Sequence, residues 1–523
     1  MCRQHPSDPQ TSPKAPHLYL TILSLPHPQK PHEEHEPKPP LSHPSLSEVA
    51  SELKSLSRIS GPMLLTGLLL YSRSIISMLF LGRLGHLPLA AGSLSLAFAN
   101  ISAFSLLSGL ALGTEPLASQ AFGALQLPLL SLTLHRSILL LLTTSIPISI
   151  LWLNSRPLLL FACKDVELAD AAHQFLVFLI PTIVAHSLLH PLRVFLRAQG
   201  RTAPLARAAL LAAAAHPAIA QVLLPRLGLR GVALAAALAD FVLVFALLPE
   251  ALKSPAWAPP PSARAALRCW RPLLSLALPT CASVCLEWWW YELMILLCGL
   301  LHNPKANLAS MGILIQITSL VYIFPSGLSL GVSIRVGNEL GANRPAKARA
   351  AMIVSLYLSL FLGLLAMAFA FLVRFKWATL FTADQEIISL TSMALPIVGL
   401  CELGNCPQTT GCGVLRGSAR PVLGANINLG SFYFVGMPVA LGLGFYFGLG
   451  LKGLWLGLLC AQACCAGLMM CALWNTDWEM EAEKARVLTG GAEQQPELQK
   501  KGGHESCLCK EDADSEPLLS TQC

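Results

Sequence analysis

Charge is what this sequence has least of. Only 12% of its 523 residues are Asp, Glu, Lys or Arg, against 54% hydrophobic residues and a mean hydropathy of +0.58. That balance excludes a soluble protein of this length and places the chain among polytopic membrane proteins. Aromatic residues are also few, at 7%, and the basic residues behind the formal charge of +7 are spread over short connections instead of being gathered with aromatics in one patch. A nucleic-acid partner is therefore excluded. Cys-x-x-Cys spacing is absent, and most of the 16 cysteines lie inside apolar stretches as small hydrophobes, so no metal site is expected. Residues 1 to 50 lack an n/h/c-type signal peptide and any packed-core pattern, being rich in Pro, His and Ser. Residues 1–56 are accordingly expected to form a disordered cytosolic tail, with membrane insertion beginning at the first span.

Long apolar runs are what the chain does have. A hydrocarbon core about 30 Å thick takes roughly 20 helical residues, and twelve such windows lie between residues 61 and 474. The expected fold is an all-α polytopic membrane protein of twelve transmembrane helices. An internal repeat at an offset of about 218 residues then divides them. Pro62 matches Pro279, and GLALGTEPLASQAFGA from Gly109 matches GLSLGVSIRVGNELGA from Gly327. Leu196-Arg197 before Pro204 matches Leu415-Arg416 before Pro421, and GLRGVAL from Gly228 matches GLKGLWL from Gly450. Each half has six spans, an even number that returns the chain to its starting side. The repeat therefore predicts two pseudo-symmetric six-helix bundles about an axis along the membrane normal, with a substrate cleft between them near mid-depth. Residues 57–250 form the N-lobe and 271–474 the C-lobe. A Pro-rich basic cytosolic linker, 251–270, joins them, and 475–523 form a cytosolic tail. The Lys and Arg bias across the connections favours both termini inside.

Few ionisable groups interrupt the spans. Glu287 lies at the midpoint of SLALPTCASVCLEWWWYELMILLCG (275–299), where a charge costs roughly 2.5–3.5 kcal/mol and marks a transport or proton path. On a helix, Tyr291 shares its row while Trp288 and Glu292 share another. The two carboxylates then point about 140° apart, so a shared cavity is expected to take only one of them squarely. Glu402 lies at similar depth in the second half, with Asn405 nearby. The matching first-half positions are Leu70 and Ile183 or Val184, which concentrates the ion chemistry in the C-terminal half. Asp240 aligns with Gln462 and is assigned to helix bridging. His186 and His190 share a row, where a proton relay and plain interhelical bonding both fit. Trp288 and Tyr291 offer π-faces to a cation. Pro62, Pro279 and Pro325 are candidate hinges, tolerated where neighbours satisfy the freed carbonyls.

These residues resemble the multidrug and toxic compound extrusion (MATE) family in its plant-type eukaryotic branch, from about Ser57 to Leu473. The resemblance rests on SGPMLLTGLLLYSRSIISMLFLGRLG, SLLSGLALGTEPLASQAFGA, CLEWWWYELMILLCGLL, PSGLSLGVSIRVGNELGA, CGVLRGSARP and GLKGLWLG. It implies a secondary antiporter, not an enzyme, that exports organic cations, metabolites or xenobiotics from the cytosol in exchange for protons, with sodium as the nearer alternative. A channel and a non-transporting sensor are the rivals. By motif position, Glu287 and Glu402 match the family's C-lobe cation site, and Glu292 a further acid. Ser77 in ISMLFLG stands where many prokaryotic members have Asp, which removes an N-lobe acidic switch and leaves Asp240 and His186 as secondary candidates. The expected partners are a small organic substrate and the lipid bilayer, with no cofactor beyond the ion gradient and a monomeric chain. In the tail, Asp514 with Leu518 and Leu519 resembles an acidic dileucine signal for endosomal sorting adaptors. Vacuolar, endosomal and plasma membranes all fit.

Overall fold

The computed structural model describes residues 45–259 and 270–490. Within them twelve helices are long and apolar enough to cross a membrane. The first six are α1 (Leu46–Leu84), α2 (His86–Gly123), α3 (Leu127–Leu153), α4 (Val166–Ala198), α5 (Ala203–Leu227) and α6 (Leu229–Leu252). The second six are α7 (Arg271–Cys298), α8 (Pro304–Gly341), α9 (Pro345–Val373), α10 (Gln385–Gly417), α11 (Pro421–Tyr446) and α12 (Leu451–Trp474). A thirteenth, α13 (Trp478–Leu488), follows. The dileucine residues Asp514, Leu518 and Leu519 lie outside the described residues, as do residues 260–269 of the linker.

Helix starts follow from local chemistry. The Ser45 hydroxyl accepts from the Glu48 amide while the Ser45 amide donates to the Glu48 carboxylate at 2.8 Å, a capping box that satisfies two orphan donors. This corrects the expectation of a disordered stretch through residue 56. The Ser-x-x-Glu spacing starts a helix at Leu46, Leu56 is fully buried, and Glu52 accepts two bonds from Arg335 of α8, at 3.0 and 2.7 Å. At 1.5 Å per residue the 39 residues of α1 reach about 58 Å, well beyond the hydrocarbon. α7, α8, α9 and α11 each carry proline in the first turn, where the missing N–H is no loss. Gly228 and Gly450 end the α5–α6 and α11–α12 turns with φ of +54° and +56°, the same glycine-only conformation at matching places in the two halves.

Chain order and packing divide the molecule differently. One apolar core joins residues 290–485 with Leu56, and two others join residues from 63 to 285. α1 packs on α5 of its own half but equally on α8, and α7 packs on α11 of its own half but equally on α2. Each first helix is thus in contact with both halves. α13, assigned to the tail, buries Trp478, Ala482 and Ala485 against α8 and α9 because its apolar residues recur at a four- and three-residue spacing.

The halves approach most closely at the end that carries the described termini, where small residues let backbones meet. A Cβ on Gly123 would overlap the Asn338 carbonyl, and one on Gly341 would overlap the Gln120 carbonyl. Gly113 meets Ala277 and Gly331 meets Ser60 in the same reciprocal way. Gly312, with open space around it, is the control. Gly123→Ala or Gly341→Ala should destabilise the protein by about 1–3 kcal/mol through overpacking, and Gly312→Ala should not, as read from melting temperatures in detergent.

Candidate functional site

α7 brings Glu287 to the wall between two cavities. One, of about 470 Å³, lies between the halves; the other, of about 250 Å³, runs between α7, α8 and Asn100 of α2. Glu287, Trp288 and Tyr322 line both. Glu287 is buried, at 8% exposure, with Tyr322 and Gln408 beside it. Among the described residues neither Glu287 nor Glu402 forms an ion pair.

Glu402 sits on α10 at 2% exposure. The Asn405 amide donates to it at 2.8 Å, and the Asn405 carbonyl in turn accepts from Thr409 at 3.3 Å and Gln462 at 3.4 Å. The single turn between residues 402 and 405 and the contact of α10 with α12 fix that relay. Tyr291 lies in the electrostatic field of both carboxylates and lines the smaller cavity with Glu287, a cavity whose lining does not include Glu402 or Asn405. Trp290 is excluded from it, packed on Phe432 and Tyr433, while Trp289 donates to Ser105 across the halves at 3.3 Å.

One sequence expectation changes. Glu287 and Glu292 both line the smaller cavity, because it wraps along the α7 face from residue 287 to 292 instead of facing one row. Glu292 shares that cavity with Asn100, which opens a π-helical segment, Asn100–Phe104, an irregularity frequent at functional sites. Asp240, His186 and Arg73 form a separate N-terminal cluster. Arg73 donates to Asp240 at 2.9 Å, and His186 approaches it at 3.4 Å, so Asp240 bridges α1, α4 and α6. His190 stacks edge-on to His186 with ring centroids 5.1 Å apart and lines the larger cavity. Ser77 meets His216 at 3.0 Å. Pro62, Pro279 and Pro325 all lie inside unbroken helices.

Sequence reasoning missed the floor of the larger cavity. Glu115, fully buried, accepts from Arg197 at 2.7 Å and from Arg416 at 3.2 Å. Arg416 also reaches the hydroxyls of Ser333 and Ser329. Beside it the Gln120 amide donates to the Gly417 carbonyl at 3.0 Å, and the Asn338 amide to the Ala198 carbonyl at 3.2 Å. Each half thus caps the last turn of the other half's fourth helix. The signal was present in the repeat, since Arg197 and Arg416 are landmarks of it. They fell past the apolar windows and were read as loop.

Comparison with known proteins decides the family. The MatE profile matches this chain twice, at residues 62–222 and 279–441, once in each half and starting at the paired prolines. The chain belongs to the MATE family. It is similar to Protein DETOXIFICATION 48 of Arabidopsis thaliana, 58% identical over 452 residues, 85% of this chain and 85% of that one. It is also 54% identical to Protein DETOXIFICATION 51 of the same plant, over the same shares. The crystal structure of the eukaryotic MATE transporter AtDTX14 superimposes with a TM-score of 0.81 at 29% identity, covering 84% of this chain and 100% of that one. The bent form of the Vibrio cholerae MATE transporter VcmN shares the fold, with a TM-score of 0.72 at 18% identity, covering 84% of this chain and 99% of that one. This MATE-family chain is therefore a multi-pass membrane transporter, not an enzyme.

Removing the shared carboxylate of the cavity floor should expose its energetic role. Glu115→Ala leaves two buried arginines without their counter-ion and should cost roughly 3–5 kcal/mol, whereas replacing Glu115, Arg197 and Arg416 together by apolar residues should recover most of it. Fluorescence-detected size-exclusion melts of the single and triple variants measure both.

Proposed function

We propose that this transporter is a secondary active antiporter that exports organic cations, metabolites or xenobiotics from the cytosol, out of the cell or into an organelle, in exchange for protons. It works by alternating access, as a monomer with both termini cytosolic and no cofactor beyond the proton gradient. The observation that carries the reading is the position of Glu287. It is a buried carboxylate without an ion-pair partner among the described residues, on the partition between two cavities.

A buried carboxylate needs positive charge beside it or a proton on it. At Glu287 a proton and a cationic substrate are alternative ways to meet that demand, so each displaces the other. Such exclusion is the differential affinity that exchange requires. Tyr322 and Gln408 stand beside the carboxylate, and the Trp288 ring, which lines the same cavities, presents a π-face to the arriving cation. Glu402 is a second acceptor in the same half, positioned by Asn405. Access from the cytosolic side is shut by the glycine crossings of α2 and α8, the Gln120 and Asn338 caps and the Glu115 ion triad. Turnover requires these to part and re-form, with Pro62, Pro279 and Pro325 as the positions where α1, α7 and α8 can bend.

Uptake of a fluorescent organic cation into proteoliposomes should rise several-fold on imposing a pH gradient and be indifferent to replacement of sodium by an inert cation at fixed pH. Gradient-independent uptake would indicate a channel, and sodium dependence a sodium-coupled exchanger. Glu287→Gln and Glu402→Gln should each abolish the gradient-driven component at normal membrane abundance, because Gln keeps the volume and removes the charge. Asp240→Asn should instead lower abundance, since it leaves Arg73 buried without its carboxylate. A Glu287→Gln protein with the parent's pH dependence would move the proton site elsewhere, with His186 next in line.

A further inference from the structure

The larger cavity is not uniformly acidic. Glu287 on α7 faces it from one half, and the repeat places Leu70 at the matching depth in the other half, also on the cavity wall. The reverse holds for Arg193 of α4, which lines the cavity where the matching wall position of α10 is Cys412. Duplication has left Glu287 on one wall and the unpaired Arg193 on the other in one chamber of about 470 Å³, whose remaining arginines, Arg197 and Arg416, are both engaged by Glu115. Arg193 makes no hydrogen bond or ion pair among the described residues. Asp240, whose field reaches it, is already engaged by Arg73 and His186. One turn further along α4, Arg197 also lines the cavity. Arg197 is committed to Glu115 at 2.7 Å, which leaves Arg193 as the cation of α4 without a protein partner on this wall.

We infer that the transported solute is amphoteric, with a cationic group received at Glu287 and a carboxylate, or an anion of similar geometry, received by Arg193. The inference rests on the antiport reading and sharpens it. A purely anionic solute would bind best when Glu287 is protonated and would travel with the proton, not against it. A purely cationic solute would satisfy Glu287 and leave Arg193 facing it across the chamber. Only a solute with both charges competes with the proton at Glu287 and neutralises the α4 wall. Guanidinium is suited to the anionic end because its fork of donors matches a carboxylate in two parallel bonds. The chamber lies within the range of small-molecule sites, about 300–1,000 Å³.

Two rhodamine dyes that differ in one group provide the test: the free carboxylate, a zwitterion, and its methyl ester, a cation. With the full chain in proteoliposomes under an imposed pH gradient, the parent should carry the zwitterion with a kcat/KM about tenfold or more above that of the ester, the scale expected for one buried charge-assisted contact. Arg193→Gln should erase that preference and leave the ester within about twofold of the parent, while Arg193→Lys, which keeps the charge, should retain part of it. An ester carried as well as the zwitterion by the parent protein overturns the inference without recourse to any variant. Equal losses for both dyes in Arg193→Gln do the same. If neither dye responds to the gradient, antiport itself fails and the inference falls with it, an outcome distinct from gradient-driven transport of the ester alone.

Discussion

Hydrocarbon on all sides leaves a buried ion few ways to be tolerated, and the placement of charge within this transporter follows from that constraint. Asp240 survives inside the N-terminal half because Arg73 and His186 reach it. Glu115 survives at full burial because two arginines, one from each half, share it. Glu287 and Glu402 are the exceptions, without an ion pair among the described residues, the second bonded only by the neutral Asn405. An acid kept in that setting carries a standing energetic cost, and the proposed exchange rests on it.

The same constraint explains why the two halves differ while their backbones repeat. Packing positions are symmetric, since a glycine that lets α2 approach one neighbour has its equal on α8, and Gln120 and Asn338 cap opposite helices with the same bond. Charged positions are asymmetric: Glu287 against Leu70, Arg193 against Cys412, Glu115 against Ser333. Shape has to match across a pseudo-two-fold axis for the halves to pack on each other reciprocally. A cavity that binds an ordinary, asymmetric solute needs no such match, and its walls have diverged.

The interface between halves is held by dissimilar interactions with different sensitivities. Glycine contacts give close packing without charge, the amide caps give directional bonds to helix ends, and the ion triad gives strength that depends on staying dry. Concentrated at one end of the bundle, they close that side, while the two cavities and their shared partition lie deeper. A buried, geometrically demanding triad suits a contact that is either made or lost, with little in between.

Composition and periodicity determined a good deal alone. Twelve spans follow from twelve apolar windows, the duplicated plan from landmarks recurring at one offset, and the importance of Glu287 and Glu402 from the expense of a carboxylate at mid-span. Local rules also held enough to place the start of α1, since Ser45 and Glu48 are a legible capping box, although the Pro-rich composition before it drew the boundary too late. What the tertiary structure alone decided is which faces meet. Helical rows put Glu287 and Glu292 far apart in angle, yet a cavity that wraps the helix takes both. Arg197 and Arg416 read as loop until Glu115, far from both in sequence, was seen between them. Arg193 gave no signal, because a cation just past an apolar window is ordinary, and only the fold shows that it faces Glu287 across one chamber. Hydrophobicity along a chain reports depth in the membrane; direction around each helix depends on neighbours that the linear order does not name.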